Sequence, residues 1–411
     1  MSDYIKNRSE RLERLKSYAL RMLEGERGSE LYAEYVGDFP HVTPQIVITV
    51  IDELVKTGEE IDQVKRTVNK ILNVFYEPLQ KFGEAKPEQG SFIYFLMAEN
   101  KAMKEKLADL KLNVKAVLNQ KNPTKNLLEN KESLLSKLTE LRDFEKHYQK
   151  KENILFPYFE KIFPDHRCAN VMWSMHDDAR KSLNNLIENL ERDNPSANEF
   201  NFNIGRLFFS VLPVIFRDDY ILYALCQQSF SEQMQVEMME QSLDIGFCFI
   251  DAPKMDQTPG TQMEGSKSPD DKKELLTEGL IDLGTGKISI DQIINLFNHL
   301  PIDITYVDEN EKVVYFSHPK DRFFTRSKAI IGRKVQNCHP PESIDVVNRI
   351  IESFRSGKKD KESFWIQIKG KFILIQYFAV RDESAKYMGT IEVSQDITDI
   401  RNLEGERRLL S

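Results

Sequence analysis

His147, Glu152, His176 and Asp219 are the residues of this chain whose types and spacing could hold a metal ion. Imidazoles and carboxylates set within two helical turns of each other, on facing helices, are how a four-helix bundle builds an iron site in its core. The stretch 147–157 and the stretch 214–224 echo each other. Glu152 in the first and Asp219 in the second keep the carboxylate, while Val214 stands where the second imidazole would be. The pattern reads as a metal-site scaffold that was duplicated and then partly altered.

At about 100° per residue in an α-helix, Glu152 lies about 140° around the axis from His147. Phe144, Tyr148 and Leu155 fall between them, so a wide inward face can hold the imidazole at one edge and the carboxylate at the other. Lys151 lies in the same sector, where its ammonium opposes a cation unless the long stem carries the charge outward. His176 belongs to an apolar stripe of Met172, Ala179, Leu183, Ile187 and Leu190 and therefore points inward. A core histidine satisfied by a hydrogen bond accounts for it as well as a ligand does. Asp218 and Asp219 follow Arg217. Two adjacent carboxylates on an α-helix cannot both face inward, so they are either one ligand at Asp219 or a solvated acidic pair beside Arg217. Burial of Asp219 would favour the ligand, because a buried carboxylate needs a partner or a metal.

The elements that must position these groups are legible in the pattern. Helical periodicity covers 91–111, 127–156, 169–192 and 197–240, the last with breaks, and places a four-helix bundle over 87–246. Pro123, Pro164 and Pro195 are assigned to the intervening loops. A small helical domain precedes it over 1–82, with Thr43 as cap, Pro44 at the first helical position, Gly58 as stop and a further helix over 61–75. Residues 251–275 lose nearly all apolar character and read as a flexible linker. Beyond it, β-branched and aromatic runs at 303–308, 312–317, 363–368, 372–381 and 387–395, with a helix over 343–354, describe an α+β domain over 290–400. An exit helix is expected over 400–411. The fold class is therefore multidomain, an all-α N-terminal part followed by an α+β domain.

Bulk composition narrows the function. A chain of 411 residues with 40% hydrophobic and 30% charged residues has ample material for several cores, and it carries no apolar run near the roughly 20 residues of a membrane span. The N-terminus lacks a signal-peptide core, which points to the cytoplasm. A net charge of −8 disfavours a nucleic-acid partner. Cys168, Cys226, Cys248 and Cys338 are scattered, so neither a zinc knuckle nor a disulfide framework is expected.

The segments 144–161, 172–180 and 215–222 resemble the hemerythrin-like (HHE) cation-binding domain of multidomain prokaryotic proteins, in which a small DUF438-type helical domain precedes the bundle and a PAS domain follows it. The resemblance implies a non-haem iron site of His, Glu and Asp on the four helices. The family's first bundle helix carries a His-Pro-x-His pattern where this chain has Ser91 and Tyr94, although Glu99-Asn100-Lys101-Ala102-Met103 matches the run that follows. The prefix likewise has Ile71 where a histidine is usual. What carries over is His147, Glu152, His176 and Asp219, with Tyr94 and Glu99 as extras. That set is short of nitrogen for a diiron centre, so it implies either a mononuclear site or a bundle that has lost its metal and kept its shape.

Residues 302–403 resemble the PAS domains of the same proteins, through 300–308, Tyr315-Phe316-Ser317, 332–341, Phe364-Trp365-Ile366-Gln367 and Asp396-Ile397-Thr398. A sheet with helices over one face leaves a cavity for a small ligand or haem. His339 is the candidate haem ligand, placed on a helix over the sheet, or a structural cap before Pro340-Pro341. Asn337-Cys338 lacks the companions of a flavin site. No phosphate-binding loop, dinucleotide turn or DNA-binding helix pair is present, so the expectation is a sensory or regulatory protein without enzymatic output. The alternatives are an iron protein for O2, NO or iron handling, and a haem sensor. Its signal would leave through a protein partner or a homodimer formed by the PAS domain and the C-terminal helix.

Overall fold

The structure, a computed structural model, describes residues 2–118, 122–164, 167–253, 280–283, 285–320, 322–368 and 370–406. The chain divides into two compact units, Met1–Pro253 and Lys254–Ser411. Most of the expected linker lies outside the described residues.

The first unit opens with helices α1 (Ser2–Leu23), α2 (Gly28–Tyr35), α3 (Pro44–Lys56) and α4 (Ile61–Phe82). Thr43 caps α3 by accepting the Ile46 amide, with Pro44 at the first position, where a missing N–H does no harm. α4 runs past residue 75, through Pro78, to Phe82. Residues 1–82 and the bundle belong to one compact unit. Lys65 binds Asp178 at 2.7 Å, and the Arg167 amide donates to Asp52 at 2.7 Å.

Then come α5 (Phe92–Leu118), α6 (Pro123–Glu129), α7 (Lys131–Leu141), α8 (Glu145–Lys150), α9 (Phe156–Ile162), α10 (Cys168–Glu191), α11 (Ala197–Arg217), α12 (Tyr223–Ser229) and α13 (Glu232–Ile245). α5, the α7-to-α9 run, α10 and the α11–α12 run form the bundle around a core that includes Leu107, Leu138, Phe144, Leu186 and Leu207. Pro123 opens α6 instead of lying in a loop. The long last helix breaks at Phe230, whose backbone is extended, and Ser231 recaps the chain into α13.

The two echoed stretches share a feature that periodicity does not predict. Lys151–Leu155, between α8 and α9, and Asp218–Leu222, between α11 and α12, are both π-helical turns. A π turn inserts one residue into the helical ladder and shifts the faces that follow it. Pro157 follows the first turn, but Ala224 holds the matching place after the second, so proline is not what opens them.

The second unit begins with an antiparallel hairpin, β1 (Leu280–Asp282) and β2 (Lys287–Ser289). α14 (Ile290–His299) follows, its start closed by a capping box between Ser289 and Gln292. Then come β3 (Asp303–Asp308), β4 (Val313–Phe316), α15 (Ile344–Arg355), β5 (Lys361–Ile368), β6 (Lys371–Arg381) and β7 (Tyr387–Asp396). The sheet is antiparallel in the order β4-β3-β7-β6-β5. Val307 and Val313 on it pack with Ile330, Val335 and Ile351 of α15 and the short turns before it. The exit helix is reduced to a single 3₁₀ turn, Ile400–Asn402, and 403–406 are not helical. Gly405 adopts a φ of +63°, which leaves the helical path. Residues 407–411 lie outside the described residues.

Candidate metal centre

Aligning His147 with Val214 brings Lys150 onto Arg217, Lys151 onto Asp218 and Glu152 onto Asp219. The structure shows that Lys151 and Asp218, first residues of the two π turns, bind each other in the middle of the bundle. The Lys151 Nζ donates to both Asp218 oxygens at 2.7 Å and to His176 Nε2 at 3.0 Å. All three side chains are fully buried. The stem of Lys151 therefore carries its charge inward, not out to solvent.

Each imidazole is held from behind by a carboxylate. His176 Nδ1 lies 2.7 Å from Glu152 Oε1, and Glu152 also receives Arg180 at 2.9 Å. Burial lowers the Lys151 amine from its ordinary value, and the Asp218 carboxylate acts against that. As the ammonium bound to both Asp218 oxygens it can only donate, so His176 Nε2 accepts and Nδ1 carries the proton toward Glu152. Burial first, then the Lys151 and Arg180 charges, holds the His176 imidazole well below its ordinary value, in keeping with this neutral tautomer. His147 Nδ1 lies 2.8 Å from Glu99 Oε2, while its Nε2 faces Asp218 Oδ2 at 3.7 Å and the Tyr223 hydroxyl at 3.4 Å. Phe144 stacks on His147, and Tyr148 stacks on His176.

Asp219 points elsewhere. It is buried but accepts from Asn100 and Lys104, each at 2.9 Å, on α5. This mirrors Glu152, which reaches His176 and Arg180 with the same four-residue spacing on α10. Asn100 thus stands where the first half of the site has an imidazole. The rule that only one of two adjacent aspartates faces inward fails because both lie in the π turn Asp218–Leu222, where α-helical spacing does not hold. The reading of Asp218 and Asp219 as a solvated pair beside Arg217 fails too, since Arg217 is itself buried, against Met175 and Asn69. Tyr94 is 36% exposed and lies outside the network. Glu99 is at its heart: burial pushes its carboxyl up, but His147 and Lys150 outweigh that and hold it below the usual range. Asp218 is likewise pushed up by burial and brought low by the Lys151 ammonium.

These residues do not fit a metal as they stand. The donors around Lys151 Nζ are spaced for N–H···O and N–H···N bonds of 2.7 to 3.0 Å, not for coordination at about 2.0–2.2 Å. Among the described residues, no three His, Cys, Asp or Glu side chains converge to hold a metal ion. Periodicity found His147, Glu152 and His176. It passed over Asp218, and the signal that identifies it is the echo, which sets Asp218 against Lys151.

In the second unit, His339 does not sit on a helix. It ends the 3₁₀ turn Val335–Cys338 in extended backbone, with its amide donating to Gln336 O at 3.3 Å. Burial lowers its imidazole from the ordinary value, with the charges of Glu392 and Arg326 acting on it in opposite directions. Glu392 lies on β7 between Thr305 of β3 and Tyr377 of β6, and pairs with Arg326 at 3.7 Å. Two residues along the same strands, Asp303 pairs with Ser394, and Asp303 Oδ1 and Ser394 Oγ have no hydrogen-bond partner among the described residues.

Residues 91–226 match the family model of the hemerythrin HHE cation binding domain. Residues 293–398 match that of the PAS domain. The solved structures similar to the chain include the C-terminal domain of a Streptococcus mutans protein, 34% identical over 30% of this chain and 97% of that one, with a TM-score of 0.30. Another is the PAS domain of a Colwellia psychrerythraea protein, 18% identical over 27% of this chain and 98% of that one, TM-score 0.23. A sensory box sensor histidine kinase from Vibrio cholerae is 14% identical over 26% and 90% of the two chains, TM-score 0.21. No curated protein matches the chain. The chain thus joins a hemerythrin HHE bundle to a PAS domain, and no helix among the described residues is long and apolar enough to cross a membrane.

Proposed function

We propose that this is a cytoplasmic sensory or regulatory protein in which the PAS domain receives a small polar ligand and the hemerythrin-like bundle serves as a metal-independent relay, with no catalytic step of its own. In this reading the helical prefix is a DUF438-type domain, packed on the bundle it modulates.

The observation that supports PAS input is a polar cluster made by two sheet residues and two residues of the segments before α15. Arg326, Glu392, Tyr377 and His339 bring charge and hydrogen-bonding groups to a place where a filled core would be apolar, and Asp303 Oδ1 and Ser394 Oγ stand ready for a partner. A haem macrocycle wants an apolar slot, and the Arg326–Glu392 pair beside His339 suits a small polar molecule better. Output through a partner or a second copy is supported by apolar side chains left in solvent: Ile294 and Phe297 on α14, and Trp365 on β5, 64% exposed.

Native mass spectrometry of the full chain as purified, read beside metal analysis and a visible spectrum, tests the proposal. The expected result is a small bound molecule released by Arg326→Ala, with neither stoichiometric iron nor a Soret band after haem addition. A bare chain mass sinks the ligand reading. Stoichiometric iron that is lost in a His147→Ala, His176→Ala double variant replaces the relay with an iron protein. A Soret band abolished by His339→Ala replaces the polar ligand with haem.

A further inference from the structure

A histidine that serves a metal presents one nitrogen to the ion and donates the other N–H to a carboxylate, which fixes its tautomer and aim. Both imidazoles of this bundle have that posture. His176 turns Nδ1 to Glu152 and His147 turns Nδ1 to Glu99, while their Nε2 atoms face inward. Asp218 is aimed into the same space from the opposite π turn, with Oδ2 3.7 Å from His147 Nε2. The group that His176 and Asp218 hold between them is the Lys151 Nζ, 3.0 Å from His176 Nε2 and 2.7 Å from each Asp218 oxygen.

We infer that the Lys151 ammonium is the resident cation of this bundle, standing at the point addressed by His176 and Asp218 with His147 behind the Asp218 carboxylate, and that its presence keeps divalent metal out. The inference rests on the reading of the bundle as metal-independent and deepens it: the cation of a cation-binding fold has become covalent, a side chain of the fold itself. Metal and ammonium compete for one place because both answer the same donors. A neutral imidazole nitrogen and a carboxylate accept from N–H or bind a metal with the same lone pairs. The other carboxylates already have cations, with Lys150 on Glu99, Arg180 on Glu152 and Lys104 on Asp219. A divalent ion added beside Lys151 would be an unbalanced charge in a dry core.

The experiment uses the full chain, stripped with a chelator, and Co2+ as the probe, read by visible absorption and thermal melting. The wild type is expected to show neither absorption nor a shift in Tm. Lys151→Ala is expected to melt lower by roughly 10 °C without metal, because Asp218 is left buried and unpaired. Co2+ then produces visible bands and restores most of the loss, and adding His176→Ala removes both effects. Should Lys151→Ala not fold without metal, the Lys151→Met, Asp218→Asn protein has neither charge. It is expected to keep the wild-type helicity and ignore Co2+. Cobalt binding by the wild type, or a Lys151→Ala protein that keeps its Tm and binds no cobalt, overturns the inference. A PAS domain without ligand leaves these outcomes untouched, so failure of the sensory reading and failure of this one are told apart.

Discussion

Lys151 and Asp218 hold equivalent places in two echoed π turns and bind each other, the lysine Nζ lying 2.7 Å from both carboxylate oxygens with neither group open to water. Breaking a buried pair by neutralising one partner costs about 3–5 kcal/mol, since the other charge is left without compensation. Asp218→Asn is expected to lose that much stability by urea denaturation. Asp219→Asn is expected to lose only about 1 kcal/mol, because its partner Lys104 is 42% exposed and turns to water. Equal losses at the two positions would contradict the assignment of Asp218 as the central carboxylate.

Glu99 does more than orient His147. Its Oε1 takes Lys150 at 2.5 Å and the Cys248 amide at 3.0 Å, and Lys150 continues to Gly246 O at 2.6 Å. The carboxylate thereby latches the turn after α13 onto α5. Glu99→Gln is expected to cost about 3 kcal/mol and to speed hydrogen exchange at the Cys248 amide. Tyr94→Phe, outside the network, should change neither reading.

Acid should weaken the bundle in a particular window. His176 is faced by Lys151 and Glu152 from the first π turn, by Asp218 from the second, by Arg180 on its own helix and by the Tyr148 ring. Its folded-state pKa lies well below the ordinary 6.5, so below pH 6.5 the unfolded chain takes a proton that the folded chain refuses. Stability present above 6.5 is therefore lost on acidification, by about 1.4 kcal/mol per pH unit. Asp218 and Glu99 are also held low, so their contribution goes in the same direction at more acid pH. Urea midpoints between about pH 7 and pH 5 should fall in the wild type, and the fall should be absent from a folded His176→Gln variant.

In the PAS domain, Gly389 has a φ of +144°, and a Cβ there would collide with the Val307 carbonyl oxygen and come within 2.9 Å of the Tyr306 ring. Both belong to β3, which pairs with β7 at this point. Gly389→Ala combines backbone strain with overpacking and is expected to cost about 3 kcal/mol or more. Thermal melting should show the PAS transition lowered while the helical unit melts as before. A single shift of the whole profile would mean that the two units unfold together.

Much of this molecule is written in its local pattern. Apolar periodicity of 3.6 placed the bundle helices and turned His147, Glu152 and His176 inward, because an amphipathic helix buries whatever lies on its apolar sector. Alternation and β-branched runs placed the five sheet strands, and the Thr43-Pro44 start is local chemistry too. The exit helix was not legible in the same way: Ile400 and Leu403 find no core to cover, and the backbone turns extended at Leu403.

What fills the centre was decided by tertiary structure. Projection at 100° per residue assumes an unbroken α-helix, and the π turns at Lys151 and Asp218 reset the angles where the site lies. The echo set Asp219 against Glu152, and the assumption of an unbroken α-helix then left no inward place for Asp218. The direction of Lys151 was equally beyond local reading. A lysine stem bends outward to water or inward to a carboxylate, and only a partner distant in sequence, brought opposite by the packing of the bundle, makes the inward path the lower in free energy. The sequence alone determined that imidazoles and carboxylates would meet in a bundle, and the fold determined that the cation among them is the protein's own.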